Sequence, residues 1–289
     1  MSGIDIDHLR RWIGREERQT DIITPALVER FEATLGEAAC PSGVHAPLAI
    51  HWCLAPQARP TGELGPDGHP ARGGFLPPVP LQRRMWAGGK VKFYEPLRIA
   101  TEVTRISRIA NVSLKSGRSG DLVFVAVDHE IVCDEKTAIA ERQDIVYRAP
   151  EPTIPSHMGT LRARGDPCQT PAADHSETVE ATTTLLFRYS ALTFNGHRIH
   201  YDVEYARQEE GYPGLVVHGP LQATLMLHMA SRIDGGLPPR SFSYRGVAPL
   251  FHGTEFTMNA LRTAGGVDLW CADHAGRTTM TAQVVGARA

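Results

Sequence analysis

Two textures of hydrophobic and polar positions alternate along the chain, and each occurs twice. From Asp5 to Gly36, Leu9, Trp12 and Ile13, then Leu27, Val28, Phe31 and Leu35, recur at three- and four-residue spacing, the pattern of helices burying one face. Thr24-Pro25 supplies a cap and a proline at the first helical position, so two short helices are expected. The stretch Ala46 to Leu54 is apolar almost throughout and ends at Pro56, which reads as a third short helix buried on most sides. Residues 56–80 are dense in proline and glycine and hold no regular element. A loop this long inside a compact domain is often a functional lid. The texture then changes to valine, isoleucine and threonine in partial alternation. Strands are expected at Lys90–Phe93, Leu97–Ile106, Ile109–Ser116, Leu122–Val132 and Thr137–Tyr147, as in an antiparallel meander.

Residues 149–178 mix prolines, small residues and charges without periodicity and read as a linker. The expected organisation is a first unit over 1–150, a linker over 151–178 and a second unit over 179–289. The second half repeats the order of the first. A strand is expected at Thr182–Phe187, then a helix at Gly219–Ile233 with Leu221, Leu225, Met226, Met229 and Ile233 on its apolar face. Strands follow near Ser241–Val247, Glu255–Thr263, Val267–Ala272 and Thr278–Val285, with turns at Ala264-Gly265-Gly266 and His274-Ala275-Gly276. An apolar helix followed by an antiparallel meander, seen twice, implies an α+β protein of double hotdog type, a central helix wrapped by its sheet in each unit. Two unrelated α+β domains satisfy the same pattern.

Composition narrows the function classes. The chain has 289 residues, 42% of them hydrophobic, and 30 basic against 32 acidic side chains give a formal charge of −2. That balance offers no net field for nucleic acid or an anionic membrane. Cys40, Cys53, Cys133, Cys168 and Cys271 lie far apart and are odd in number, which fits neither a zinc knuckle nor a disulfide framework. The N-terminal stretch is charged from residue 5 onward and has no signal-type apolar core, and no apolar run approaches the ~20 residues of a spanning helix. A soluble, cytoplasmic protein is expected.

The candidate chemistry lies between Tyr189 and Leu225. Of the 13 histidines, His200 alone has an aspartate or asparagine five residues before it, namely Asn195. A neutral imidazole accepts a proton from water near pH 7, and an amide orients that water without carrying charge. Taken alone, a structural histidine beside an Asn-Gly turn explains the same residues. The second element is Val217-His218-Gly219-Pro220-Leu221, which opens the apolar helix. Its free N–H groups and dipole can meet a developing oxyanion, while an ordinary helix start with a packing glycine is the plainer alternative. His197, His200, His218 and His228 lack a carboxylate or cysteine in a ligand spacing, so neither a metal nor a cofactor is expected. No nucleophile elbow, phosphate loop or dinucleotide fingerprint is present. Arg84 and Trp86, in Arg83-Arg84-Met85-Trp86-Ala87-Gly88-Gly89, and Arg245 are candidates for contacting an acyl chain or a carboxylate; a solvated turn is the competing account.

Together these residues resemble the R-specific enoyl-thioester hydratases, or MaoC-like enzymes. That family's motif runs serine or threonine, glycine, catalytic aspartate, with the catalytic histidine five residues on. Thr193-Phe194-Asn195-Gly196-His197-Arg198-Ile199-His200 fits this frame, with Phe194 for the glycine, Asn195 for the aspartate and Arg198 for the usual proline. TFNGHRIHYD, with RRMWAGG and Gly117-Arg118-Ser119-Gly120, is similar to a branch holding type-2 3-hydroxyacyl-thioester dehydratases and mesaconyl-C(4)-CoA or itaconyl-CoA hydratases. The resemblance implies that two hotdog units build one active site, the first shaping the acyl pocket, and that a CoA or acyl-carrier-protein thioester is the partner. It implies Asn195 and His200 as the catalytic pair, with Gly219, His218, Thr193, Arg84, Trp86 and Arg245 around the substrate, in a homo-oligomer, a dimer being favoured. Asparagine exchanges no proton near pH 7, so His200 is expected to act as both base and acid. An acyl-CoA thioesterase and a non-catalytic acyl-thioester binding subunit are the alternatives; the absence of Asp or Glu between His218 and Ser231 speaks against the thioesterase.

Overall fold

The computed structural model describes residues 3–40, 43–117, 120–149 and 172–287. Arg118, Ser119, Cys168 and most of the expected linker lie outside them. In chain order the elements are α1 (Ile6–Arg10), β1 (Glu16–Ile22), α2 (Pro25–Leu35), β2 (Arg83–Phe93), β3 (Glu102–Gly117), β4 (Gly120–Cys133), β5 (Lys136–Arg148), β6 (His175–Glu180), α3 (Thr183–Leu192), α4 (Val203–Gln208), α5 (Gly219–Ile233), β7 (Pro239–Gly246), β8 (Glu255–Thr263), β9 (Gly266–Ala272) and β10 (Thr278–Ala287).

All ten strands form one sheet in the order β1-β3-β4-β5-β2-β7-β10-β9-β8-β6. Read outward from the centre, each half has the same succession, since β2, β5, β4, β3 and β1 correspond to β7, β10, β9, β8 and β6. The halves join where β2 and β7 pair antiparallel, from Gly88 opposite Arg245 to Lys92 opposite Ser241. Gly88 and Gly89 permit this seam: a Cβ on them would lie 2.6 Å from the Tyr244 carbonyl oxygen and 2.3 Å from the Tyr244 hydroxyl, respectively.

Helix α5 is the core of the second half. Every residue from Leu221 to Ser231 is buried, and the helix packs on β7, β8, β9, β10 and β2. A helix apolar on all sides needs such a wrap. The first half differs from expectation here. The stretch 46–54 makes only a 3-10 turn, Ile50–Cys53, because Ala49 and Ala55 on either side have φ of 66° and 47° and break a helix. The buried side chains of Ile50, Cys53 and Leu54 still join the main core with Val91, Phe93 and Ile131.

Three other expectations change. Strand β1, EERQTDI, lies between the two expected helices where no element was expected; it is an edge strand paired only with β3, so it needs little apolar content. Leu97–Ile106 and Ile109–Ser116 are one strand from Glu102, with a register shift between Ile109 and Asn111. The strand expected at Thr182–Phe187 is helix α3. Thr182 caps it by accepting from Leu185 N at 3.1 Å, and Leu186, Tyr189 and Ser190 are its buried positions. Capping and a helical burial period outweigh the β-branched threonine run. Strand β6, His175–Glu180, begins within the stretch read as linker and runs past its expected end at residue 178. Cys40, Cys53, Cys133 and Cys271 are free thiols, and among the described residues no helix is long and apolar enough to cross a membrane.

Candidate active site

The end of α3 sets the position of Asn195. Asn195 N donates to the Ser190 carbonyl oxygen at 2.8 Å, and Thr193 Oγ1 donates to that of Tyr189 at 2.8 Å. Between them Phe194 has φ of 49°, the left-handed backbone that favours glycine. Asn195 Oδ1 accepts from His197 N at 3.0 Å, a side-chain turn that does not engage the amide NH₂. A 3-10 turn, Arg198–His200, then brings His200 inward.

His200 is 7% exposed. Its Nδ1 donates to the Val216 carbonyl oxygen at 2.7 Å, and Val216 N in turn donates to Ile199 O at 2.9 Å. This fixes the proton on Nδ1 and leaves the Nε2 lone pair available. Burial lowers the His200 pKa to about 4, so the ring is neutral near pH 7, the state a general base requires. Behind it His218, fully buried, stacks at 3.6 Å between ring centroids. His218 Nε2 hydrogen-bonds Ser190 Oγ at 2.8 Å. Burial, then the neighbouring His200, hold His218 well below the ordinary histidine range.

A cavity of about 1300 Å³ opens in front of these groups, lined by Asn195, His197, His200, Gly219, Gln222 and Trp86, with Thr193, Arg84 and Arg245 also on its wall. Sites for drug-sized ligands are typically about 300–1,000 Å³, so this cavity suits a longer ligand. Thus the structure brings Asn195, His200, Thr193, Gly219, Arg84, Trp86 and Arg245 to one cavity, whereas His218 supports His200 from behind. The start of α5 carries no side-chain cap, and its Gly219 lies beneath Trp86, where a Cβ would be 3.3 Å from the indole.

Trp86 begins an aromatic wall that leads to a polar end. Trp52 and Tyr244 have ring centroids 5.2 and 4.6 Å from that of Trp86. Buried Glu141 accepts from Trp52 Nε1 at 2.9 Å, Gln143 Nε2 at 3.0 Å and Tyr244 OH at 3.2 Å. Burial opposes its ionisation, but the hydrogen bond and charge of His51 outweigh this and hold its pKa at about 2.

Two titratable residues beside the site, Asp67 and His69 of the 56–80 loop, were not singled out in the sequence. That loop packs directly on the 195–200 segment: Arg198 N donates to Asp67 O at 2.9 Å and Arg198 Nη1 to Pro66 O at 3.1 Å. The His69 ring lies 4.3 Å from that of His197, which meets His200 edge-on at 5.4 Å. Asp67, His69 and His197 ligand atoms lie within 4.8 Å of one another. No sequence spacing connects these groups; only the unusual length of the loop pointed to a role.

The family model described as hydroxyacyl-thioester dehydratase type 2 matches residues 49–252. The chain is 43% identical over 277 residues to the mesaconyl-C(4)-CoA hydratase of Chloroflexus aurantiacus, covering 94% of this chain and 96% of that one. A MaoC-like dehydratase structure from Phytophthora capsici aligns with a TM-score of 0.70 at 14% identity, covering 98% of each chain. A double-hotdog protein of Mycobacterium tuberculosis aligns with a TM-score of 0.55 at 12% identity, covering 94% of this chain and 95% of that one. These two likenesses show the fold, an α+β double hotdog.

Proposed function

Because the chain belongs to the hydroxyacyl-thioester dehydratase type 2 family, we infer that its cavity takes an enoyl thioester and that Asn195 and His200 act on the water added to it. The protein is a hydro-lyase that reversibly hydrates enoyl-CoA and dehydrates 3-hydroxyacyl-CoA thioesters. The observation carrying the residue assignment is that His200 is buried, neutral, anchored through Nδ1 and beside the Asn195 amide at the cavity wall.

In hydration, His200 Nε2 takes a proton from water while the Asn195 NH₂ holds the water oxygen. The oxygen bonds to Cβ, and the π electrons move onto the thioester oxygen. The backbone N–H of Gly219 at the α5 terminus meets that charge; one well-placed donor of this kind contributes about 3 to 4 kcal/mol. Protonation of Cα completes the addition. Dehydration retraces these steps.

The acyl group we favour is a C4-linked unsaturated dicarboxylate such as mesaconyl-C(4)-CoA, with itaconyl-CoA as a second candidate. The similarity to the Chloroflexus hydratase supports this, as do Arg84 and Arg245 on the cavity wall, since guanidinium matches a carboxylate in two hydrogen bonds. Free cysteines fit a reducing, cytoplasmic setting. The test is incubation with mesaconyl-C(4)-CoA, itaconyl-CoA and crotonyl-CoA, following enoyl-thioester absorbance and free thiol together. Absorbance is expected to fall without thiol release, fastest for a carboxylate-bearing substrate. Thiol release would instead identify a thioesterase, and no change a binding subunit.

A further inference from the structure

The site has lost the carboxylate that its motif places at position 195, yet a carboxylate is present, delivered by the other half of the molecule. We propose that Asp67 takes over the charge lost at Asn195: it stabilises an imidazolium formed at His197, and His197 is the group that protonates Cα. This rests on the hydratase reading above.

The juxtaposition is specific to this chain's departures from the motif. Where the motif has proline, Arg198 has a backbone N–H, and that N–H donates to Asp67 O at 2.9 Å; a proline there has no donor. The Arg198 side chain also ties Pro66 O to Asp202, at 3.1 Å and 2.8 Å. Gly68 and Gly196 meet backbone to backbone, where a Cβ on Gly68 would lie 1.9 Å from Gly196 O. Asp67 Oδ1 accepts from His69 N at 3.0 Å, and its Oδ2 lies 3.4 Å from His69 Nδ1. His69 Nδ1 is buried, with Asp67 Oδ2 as its ion-pair contact, and both His69 and His197 line the cavity. Burial works against ionisation of Asp67, but His69 outweighs it and keeps the carboxyl well below the usual range. Burial, then the neighbouring His69 and His200 rings, hold His197 well below the ordinary histidine range, and Asp67 is the group that acts against them; a carboxylate so placed stabilises the imidazolium that forms in turnover.

The proton balance closes without a co-reactant. Water gives one proton to His200 Nε2 as its oxygen bonds to Cβ. His200 passes that proton to neutral His197, whose cationic form is stabilised by Asp67. His197 then gives the proton to Cα as the enolate electron pair forms the C–H bond, and both histidines end neutral. His197 is the catalytic residue, and Asp67 and His69 are positioning residues acting through it.

The experiment compares wild type, Asp67→Asn, Asn195→Asp and the double variant on mesaconyl-C(4)-CoA. Asp67→Asn keeps the acceptor for His69 N and removes the charge. Its kcat is expected to fall about 100-fold, the scale of one acid–base group, with KM changed less than about threefold and an unchanged melting temperature. Asn195→Asp in the same chain is expected to recover most of that loss, which no packing role of Asp67 explains. His69→Gln is read in the same way if Asp67→Asn is insoluble. An undiminished kcat in the charge-removed variant overturns the proposal, and so does a loss that Asn195→Asp leaves unrepaired. Activity lost on EDTA dialysis and regained with Zn²⁺ also overturns it, by showing that the three residues hold a metal. A wild type inert on every enoyl thioester sinks the hydratase reading and this inference with it, whereas an active wild type with an unaffected Asp67→Asn sinks this inference alone.

Discussion

At position 195 the chain has an amide where the family motif has an acid, and the surrounding bonds show what an amide retains. Oδ1 still accepts from His197 N at 3.0 Å, and in the proposed mechanism the NH₂ takes the carboxylate's place as the water's hydrogen-bond partner. Asn195→Asp preserves the acceptor of the turn, adds a charge and replaces the NH₂ donor by an acceptor oxygen to which the water donates instead. Its kcat is therefore expected to stay within about tenfold of wild type, acid–base groups being worth about 100-fold or more; a larger loss in a steady-state assay would show that the amide itself is required. At position 194 the motif's glycine is phenylalanine, and the backbone still takes φ of 49°. A bulky residue in this region costs on the order of 1–3 kcal/mol, tolerated here because Asn195 N and Thr193 N are both tied to the end of α3. The His200 spacing was legible in sequence because its frame is local. Asp67 and His69 were not, since their relation to His197 exists only after two distant segments meet.

Among the elements, the 56–80 loop changes most in meaning. Its proline and glycine content identified a loop and suggested a lid, and its contacts make it one wall of the catalytic segment. Gly68 has φ of 85° and touches Gly196, so Gly68→Ala combines a strained backbone with a backbone collision. The variant is expected to lose at least about tenfold in kcat/KM through misplacement of the 195–200 segment, with faster proteolytic cleavage in the loop. Unchanged kinetics with an unchanged digestion pattern would show that the loop does not position the site. Helix α5 was legible as an apolar stretch long enough to be buried on all sides, and strands β4, β5, β7, β8, β9 and β10 as β-branched or alternating runs divided by turns. Strand β1 was not, because this edge strand alternates exposed and half-buried positions and buries none fully. Helix α3 was misread because three threonines favour a strand locally while Thr182 caps a helix. The 46–54 stretch is apolar for burial rather than for helix formation, and the left-handed Ala49 and Ala55 confine it to one turn.

Across the whole molecule, one ten-stranded sheet with the same strand succession in each half holds a site assembled from both. The second half supplies Asn195, His200 and the start of α5. The first supplies Trp86, Arg84, the Glu141 end of the cavity and the loop bearing Asp67 and His69. On this account the units over 1–150 and 179–289 are proposed to act as one catalytic body, the first shaping the acyl pocket and adding Asp67 beside His197. Its central claim is that His200 Nε2 is the base for water addition. The most direct measurement is the initial rate of enoyl-thioester absorbance loss with mesaconyl-C(4)-CoA for His200→Ala beside wild type, with the melting temperatures compared. The account predicts a fall of about 100- to 10,000-fold, the range for removing one general base, in a variant that still folds. A folded His200→Ala enzyme hydrating at a rate near that of wild type would contradict it.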